Sequence, residues 1–120
     1  MTDELPILDA SGLAELRASV SGDEAFVRDL VATYLAEEPG NMELIMAAAA
    51  RGDAEAIVRP AHTLKSSSAV LGAARMSAIS REIEFAGREG RVEDLAPLAE
   101  RAQHTWAATV GALRAANLAT

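Results

Sequence analysis

The chain has 120 residues, half of them hydrophobic but only 3% aromatic, it contains no cysteine, and its formal net charge is −7. This length predicts one domain over residues 1–120 with an aliphatic core, loose ends at 1–10 and 118–120, and no disulfide or thiolate metal site. The acidic balance argues against nucleic acid as a partner, and charges interrupt every apolar stretch before the roughly 20 residues that cross a membrane.

The first half of the chain predicts three helical segments. Ser11 can cap a short helix over about residues 12–19. A second segment begins after Gly22 and shows the spacings of three and four that are typical of an amphipathic helix. Its apolar positions are Phe26, Val27, Leu30, Val31, Tyr34 and Leu35. Pro39 is predicted to end this segment and to open a third, which ends at Gly52.

The second half predicts three further helical segments. The first runs from Asp53 to Leu71, and Pro60 is expected to break it or to start it afresh. Its apolar or small stripe is Ile57, Ala61, Leu64, Ser68 and Leu71. Gly72 ends it, and the next segment buries Met76, Ile79, Ile83 and Ala86. The last covers about 93–117, with Leu95, Leu98, Ala102, Trp106, Val110 and Leu113 on one side. Short loops make such helices antiparallel neighbours, so the expected fold is all-α, an up-down bundle.

Charge is distributed unevenly along the chain. Residues 1–58 have a net charge of −9, residues 59–91 of +3 and residues 92–120 of −1. A cationic centre on an acidic protein suits a phosphorylated or acidic partner surface, although charge alone fits a solvated face equally well. The amino terminus has neither the basic nor the apolar region of a secretory signal, so a cytoplasmic location is expected.

A histidine and a glutamate are predicted to face each other across the hairpin that turns at Gly72. His62 and Glu84 lie at similar distances from the turn, roughly 15 Å along their helices. Each follows a core residue, Ala61 or Ile83, which rotates it about 100° off the buried stripe and onto the groove edge. A carboxylate there can accept the proton of one imidazole nitrogen, which leaves the other nitrogen outward as a nucleophile.

Lys65 and Ser66 follow His62 by three and four residues, so they share its helix face. Phosphoryl transfer depends on position and countercharge, because its transition state spreads charge over three equatorial oxygens. An ammonium group beside the nucleophile fits that chemistry. Small residues such as Ser66 and Ala69 would leave the imidazole uncovered for a partner's active site. Arg81, level with Lys65 across the hairpin, is expected to extend the cationic rim.

The run Ala61-His62-Thr63-Leu64-Lys65, with Gly72 near the helix end, resembles the histidine-containing phosphotransfer (HPt) domain. The core of that family reads His-x-Leu-Lys-Gly, and the resemblance covers most of the chain. It implies a four-helix bundle with an additional short N-terminal helix. It also implies that His62 takes a phosphoryl group from the aspartyl phosphate of one receiver domain and passes it to the aspartate of another. Lys65 is then the phosphate neighbour and Glu84 the partner of the other ring nitrogen.

The same resemblance implies the partners and the type of activity. The partners are receiver domains of a hybrid histidine kinase and of a response regulator. The protein is then a phosphoryl carrier rather than a turnover enzyme, with no ATP site, no cofactor and no metal of its own, since Mg²⁺ belongs to the receiver. A monomer is expected, because the hydrophobic stripes are about as wide as one bundle consumes.

One departure from the family pattern concerns Ser66, which replaces the glycine that usually follows the lysine. Serine can donate a hydrogen bond to the phosphoryl group or slow transfer by crowding the imidazole. A second function, an HPt-like adaptor that binds receiver domains without transferring phosphate, is favoured by Ser66 and disfavoured by the intact His62 and Lys65. A third, a kinase-type dimerisation helix pair, is disfavoured, because the acidic residue and proline expected after its histidine are absent.

Overall fold

Five α-helices and one short 3-10 helix form the fold in a computed structural model that describes residues 2–119. The elements are the 3-10 helix Thr2–Glu4, α1 (Ala10–Ser19), α2 (Glu24–Ala50), α3 (Ala54–Val70), α4 (Ala74–Arg88) and α5 (Val92–Ala115). The described residues contain no strand. The all-α prediction is therefore confirmed. Between residues 2 and 119, no helix is long and apolar enough to cross a membrane.

Aspartate side chains cap the first three α-helices. Asp23 accepts the Phe26 N–H at 3.1 Å and Asp53 accepts the Ala56 N–H at 3.0 Å, which satisfies first-turn donors that have no partner within the helix. The cap of α1 is Asp9, one residue before Ala10, and not Ser11 as predicted. The side chain of Asp9 accepts both the N–H and the hydroxyl of Ser11, so α1 begins earlier than the sequence pattern indicates.

Two prolines lie inside continuous helices, where the sequence predicted breaks. Proline lacks the backbone N–H and crowds the carbonyl four residues earlier, which weakens an isolated helix. Nevertheless α2 runs unbroken through Pro39, and α3 runs unbroken through Pro60. The buried face of α2 continues on both sides of Pro39 through Tyr34, Glu38, Met42 and Ile45. Burial along a whole helix face thus outweighs the local effect of one proline.

The core lies between the four longest helices. Contacts join α2 to α3, α3 to α4, α4 to α5, and α5 back to α2. The stripes predicted for α3 and α4 are confirmed, because all their members are buried: Ile57, Ala61, Leu64, Ser68, Leu71, Met76, Ile79, Ile83 and Ala86.

The buried face of α5 includes Leu95, Ala102 and Leu113 as predicted, but it differs at the other predicted positions. Thr105 and Thr109 are also buried, while Trp106 is only partly buried. The hydroxyl of Thr109 donates to the carbonyl of Thr105 at 2.7 Å, so it can leave water without losing a hydrogen bond. The Trp106 ring packs at the core's edge against Tyr34, with ring centroids 5.2 Å apart. Hydrophobicity alone therefore misplaced this face.

The turn between α3 and α4 is packed against α1. Gly72 has a φ of 73°, and a Cβ atom there would lie 3.0 Å from the carbonyl oxygen of Asp9 and 3.1 Å from the amide nitrogen of Leu13. Glycine suits this position because it accepts positive φ and allows close approach. The Gly72 carbonyl accepts the Asp9 N–H at 2.7 Å. The turn and the start of α1 are thus held together by a backbone hydrogen bond.

The ends that the sequence predicts to be loose make defined contacts where they are described. The hydroxyl of Thr2 donates to Glu82 at 2.6 Å, and the backbone N–H of Arg75 donates to the carbonyl of Pro6 at 3.1 Å. Leu118 is buried in the core. Residues 1 and 120 lie outside the described residues. The segment 2–9 therefore runs along α4 from Glu82 toward the turn at Gly72.

Candidate functional site

His62 projects from α3 into solvent, one residue after the fully buried Ala61, and 55% of its side chain is exposed. α3 is held on both sides. The Tyr34 hydroxyl of α2 lies 2.7 Å from Ser68 Oγ, and Ser77 of α4 donates its hydroxyl to the Lys65 carbonyl at 2.9 Å. His62 is therefore an exposed side chain on a helix that its neighbours fix in place.

The predicted pairing of His62 with Glu84 is present. The Nδ1 atom of the imidazole lies 3.0 Å from Oε2 of Glu84 on α4. An ionised carboxylate can only accept a hydrogen bond, so in the neutral imidazole Nδ1 carries the proton and Nε2 keeps its lone pair. The carboxylate thus selects the tautomer in which the lone pair of Nε2 is available.

Glu84 lies deeper than the groove edge at which it was predicted, with 3% of its side chain exposed. Burial raises the pKa of this carboxyl. Polar contacts with Lys65, Arg88 and His62 outweigh that effect and lower the pKa from 4.5 to about 2. Glu84 is therefore ionised at neutral pH although it is almost fully buried.

Lys65 contacts the same carboxylate. Its Nζ atom lies 2.7 Å from Oε1 of Glu84, and 28% of its side chain is exposed. The ammonium group was predicted to lie beside the imidazole as a phosphate neighbour, and its pairing with Glu84 was not predicted. It is ion-paired across the hairpin, since a buried carboxylate attracts the nearest cation.

Arg88 is part of the site although the sequence interpretation did not include it. Its Nη2 and Nε atoms donate to Oε2 of Glu84 at 2.8 and 3.1 Å. The signal that could have found it is the spacing, since Arg88 follows Glu84 by four residues on one helix face. Glu84 thus contacts a histidine, a lysine and an arginine at once.

The remaining predicted site residues lie nearby in other roles. The Ser66 hydroxyl donates to the His62 carbonyl at 3.2 Å, so it is directed at the backbone of α3. Ala69 is exposed and lines a groove together with Lys65 and Arg81. The Arg81 guanidinium lies over the Phe85 ring, 5.1 Å from its centroid. Arg81 is therefore at the rim, as predicted, but its contact is with an aromatic ring.

Close approach of α3 and α4 brings these side chains together. Gly87 is a helical residue at the contact, where a Cβ atom would lie 2.7 Å from Cγ2 of Ile57 and 2.8 Å from the carbonyl oxygen of Ala54. Only a residue without a side chain fits that gap.

Among residues 2–119, no group of three or more His, Asp or Glu side chains is placed to hold a metal ion. The site is thus an exposed imidazole beside a carboxylate and two cations.

Comparisons with known proteins indicate the family of this chain. A family model described as Hpt domain matches residues 29–119, which include His62, Lys65, Glu84 and Arg88. The crystal structure of histidine-containing phosphotransfer protein B (HptB) from Pseudomonas aeruginosa PAO1 is similar to this chain, with 29% sequence identity and a TM-score of 0.76. The match covers 87% of this chain and 88% of that one. No curated protein matches the chain. The chain therefore belongs to the Hpt domain family and functions in histidine phosphotransfer in two-component signalling.

Proposed function

We propose that His62 accepts a phosphoryl group on Nε2 from the aspartyl phosphate of one receiver domain and passes it to the aspartate of another. The observation that carries this assignment is the contact between Nδ1 of His62 and Oε2 of the ionised Glu84, 3.0 Å apart. That contact leaves Nε2 as the lone-pair nitrogen of an exposed ring. A nucleophile that is oriented from one side and open on the other suits attack on a group held by a partner protein.

The reaction needs no proton transfer on this chain. The Nε2 lone pair forms the N–P bond, the P–O bond to the receiver aspartate breaks, and its electrons leave with the aspartate carboxylate. The ring keeps the Nδ1 proton and becomes a phosphorylated imidazolium. Glu84 accepts the hydrogen bond from that proton and offsets the positive charge on the ring, and Lys65 is the nearby countercharge for the phosphoryl oxygens. Reversal of these steps on a second receiver discharges His62.

The proposal extends to the form in which the protein acts. We propose one domain over residues 1–120, an up-down four-helix bundle of α2 to α5 with α1 as the additional short helix, working as a monomer in the cytoplasm. Supporting this, α2 to α5 contact one another in a ring and enclose the aliphatic core. Receiver domains are the proposed partners, and the Mg²⁺ used in the reaction would be bound by them.

One labelling experiment tests the assignment. The protein is incubated with receiver domains that carry ³²P on aspartate, and the transferred label is tested for the acid lability and base stability of a phosphoramidate. We expect His62→Gln to abolish labelling. His104→Gln is the matched control, because His104 is an exposed histidine of α5.

Two other results would contradict the proposed role of His62. Label that survives His62→Gln would overturn the site assignment. Receiver domains that bind the wild-type protein but never label it, across a panel, would support the adaptor function instead.

A further inference from the structure

We propose that Arg88 is a positioning residue that keeps Glu84 paired while Lys65 leaves it to meet the phosphoryl group. The inference rests on the proposed phosphorylation of His62 and assigns to the chain a step in which the lysine changes partner. It concerns an arginine whose side-chain hydrogen bonds, among the described residues, all go to Glu84.

The need for an exchange follows from where Lys65 lies. Its ammonium group is 2.7 Å from Oε1 of Glu84, so its charge is engaged before any phosphoryl group arrives. A phosphoryl group on His62 brings a charge of about −2 and three acceptor oxygens to the same helix face, three residues away. Lysine is a compact charge on a flexible stem, so it can turn from one anion to the other without backbone movement.

Departure of Lys65 would be costly if Glu84 had no other cation. Only 3% of the Glu84 side chain is exposed, and an unpaired charge at a buried position is strongly unfavourable. Arg88 removes that obstacle. It donates two N–H groups to Oε2, from 2.8 and 3.1 Å. Because Arg88 belongs to the same helix as Glu84, its contact does not depend on α3.

The two carboxylate oxygens of Glu84 have different partners. Lys65 contacts Oε1, whereas both His62 and Arg88 contact Oε2. Lys65 can therefore leave without disturbing the oxygen that orients the imidazole. Arg88 is also 55% exposed, so it holds the carboxylate from the solvent side and needs no burial of its own.

A double-mutant cycle separates this role from direct contact with a receiver. Arg88→Ala is made in the wild-type chain and in Glu84→Gln, and transfer is measured from a labelled receiver and from phosphoramidate, a small donor that needs no docking surface. We expect Arg88→Ala to slow both reactions about tenfold in the wild-type chain and by less than about twofold beside Glu84→Gln, since a neutral amide needs no countercharge. Arg88→Lys should restore most of the rate.

Arg91→Ala is the matched control, because Arg91 is a partly exposed arginine paired only with the surface carboxylates Glu89 and Asp94 among the described ion pairs. We expect it to leave both rates unchanged. A second readout needs no phosphoryl donor: the Glu84 carboxyl titration, followed by NMR, should show a raised pKa in Arg88→Ala and no change in Arg91→Ala.

Four results would overturn the inference. Equal slowing by Arg88→Ala in both backgrounds, or slowing with the receiver alone, would show that Arg88 acts on the partner directly. An unchanged rate in the wild-type background would show that Lys65 can leave unaided. A wild-type chain that neither donor labels would overturn the proposed function together with this step, and that failure is recognisable because it appears without any Arg88 substitution.

Discussion

Glu84 on α4 lies 3.0 Å from the imidazole Nδ1 of His62 on α3 while being almost completely buried. One residue thus joins the interior of the hairpin to the exposed imidazole of His62. Its charge is maintained there by Lys65 and Arg88, which contact it at 2.7 and 2.8 Å. Stability and reactivity are therefore coupled at this carboxylate.

The first prediction concerns pH and Glu84. Its pKa is 4.5 ordinarily and about 2 in the folded protein, so between these values the unfolded chain binds more protons than the folded one. Glu84 therefore contributes stability that is fully present above pH 4.5 and is lost as the pH falls through about 2. We expect Glu84→Gln to lower the free energy of unfolding at pH 7 by on the order of 2 kcal/mol, given the solvent screening of Arg88 and Lys65.

Urea unfolding followed by circular dichroism at several pH values measures this difference. The advantage of the wild type over Glu84→Gln should stay constant from neutral pH to about 4.5 and shrink as the pH falls from there toward 2. Glu100→Gln, a substitution at an exposed glutamate of α5, is the control. An advantage that stays constant with pH would show that the carboxylate charge is not what Glu84 contributes.

A second prediction concerns Lys65. We expect Lys65→Ala to slow phosphoryl transfer at least tenfold, because it removes the countercharge nearest the phosphoryl group. Unlike a surface charge, Lys65 is paired with a buried carboxylate, so the variant should also lose roughly 1 kcal/mol of stability while remaining folded. Time courses of phosphoryl transfer measure the rate, and thermal melts measure the stability. Unaltered transfer in a destabilised Lys65→Ala protein would make the lysine purely structural.

Ser66 provides a third prediction. Its hydroxyl donates a hydrogen bond to the His62 carbonyl at 3.2 Å and is therefore directed at the backbone. We accordingly expect Ser66→Gly not to slow transfer. The variant should instead lose about 0.5 kcal/mol of stability, since glycine is a poorer helix former than serine. Ser66→Val, which adds bulk beside the imidazole, should slow transfer from a receiver. Slower transfer in Ser66→Gly would mean that the hydroxyl turns to the phosphoryl group during the reaction.

The fourth prediction concerns the contact between α3 and α4. Gly87→Ala should lower stability by about 2 kcal/mol, because the new methyl group would lie within 2.8 Å of the Ala54 carbonyl oxygen and within 2.7 Å of Ile57. Gly111→Ala is the matched control. Gly111 is also helical, but a Cβ atom there meets nothing within 4 Å, so the substitution should stabilise α5 slightly.

Chemical denaturation of both variants checks this prediction. Gly87→Ala should also slow transfer, since a wider gap between α3 and α4 separates His62 from Glu84. Equal stability of the two alanine variants would show that the helices yield to the methyl group without cost.

Much of the site was predictable because it depends on local spacing. The period of Ala61, Leu64 and Ser68 on α3, and that of Ile79 and Ile83 on α4, indicated which faces are buried. The turn at Gly72 set the pairing of the two helices. Position relative to a stripe and distance from a turn are properties of each helix alone, so they sufficed to bring His62 opposite Glu84.

Other features were missed because they depend on packing between helices. From the sequence, helix breaks were predicted at Pro39 and Pro60, a cap at Ser11, and a face of α5 that is only partly the buried one. The helices continue through both prolines because local preference is weaker than the burial of a long helix face. The sequence also did not indicate that Lys65 pairs with Glu84. No single-helix pattern indicates how far a neighbouring carboxylate sinks into the core.

The sequence by itself thus determined an all-α fold and the placement of His62 opposite the carboxylate of Glu84, because helical periodicity and turn position depend on nearby residues. Only the tertiary structure decided that Glu84 is buried, that Lys65 is bound to it and that Arg88 completes its pairing. The physical reason is desolvation: a carboxylate gathers cations when close packing of α3 and α4 removes it from water.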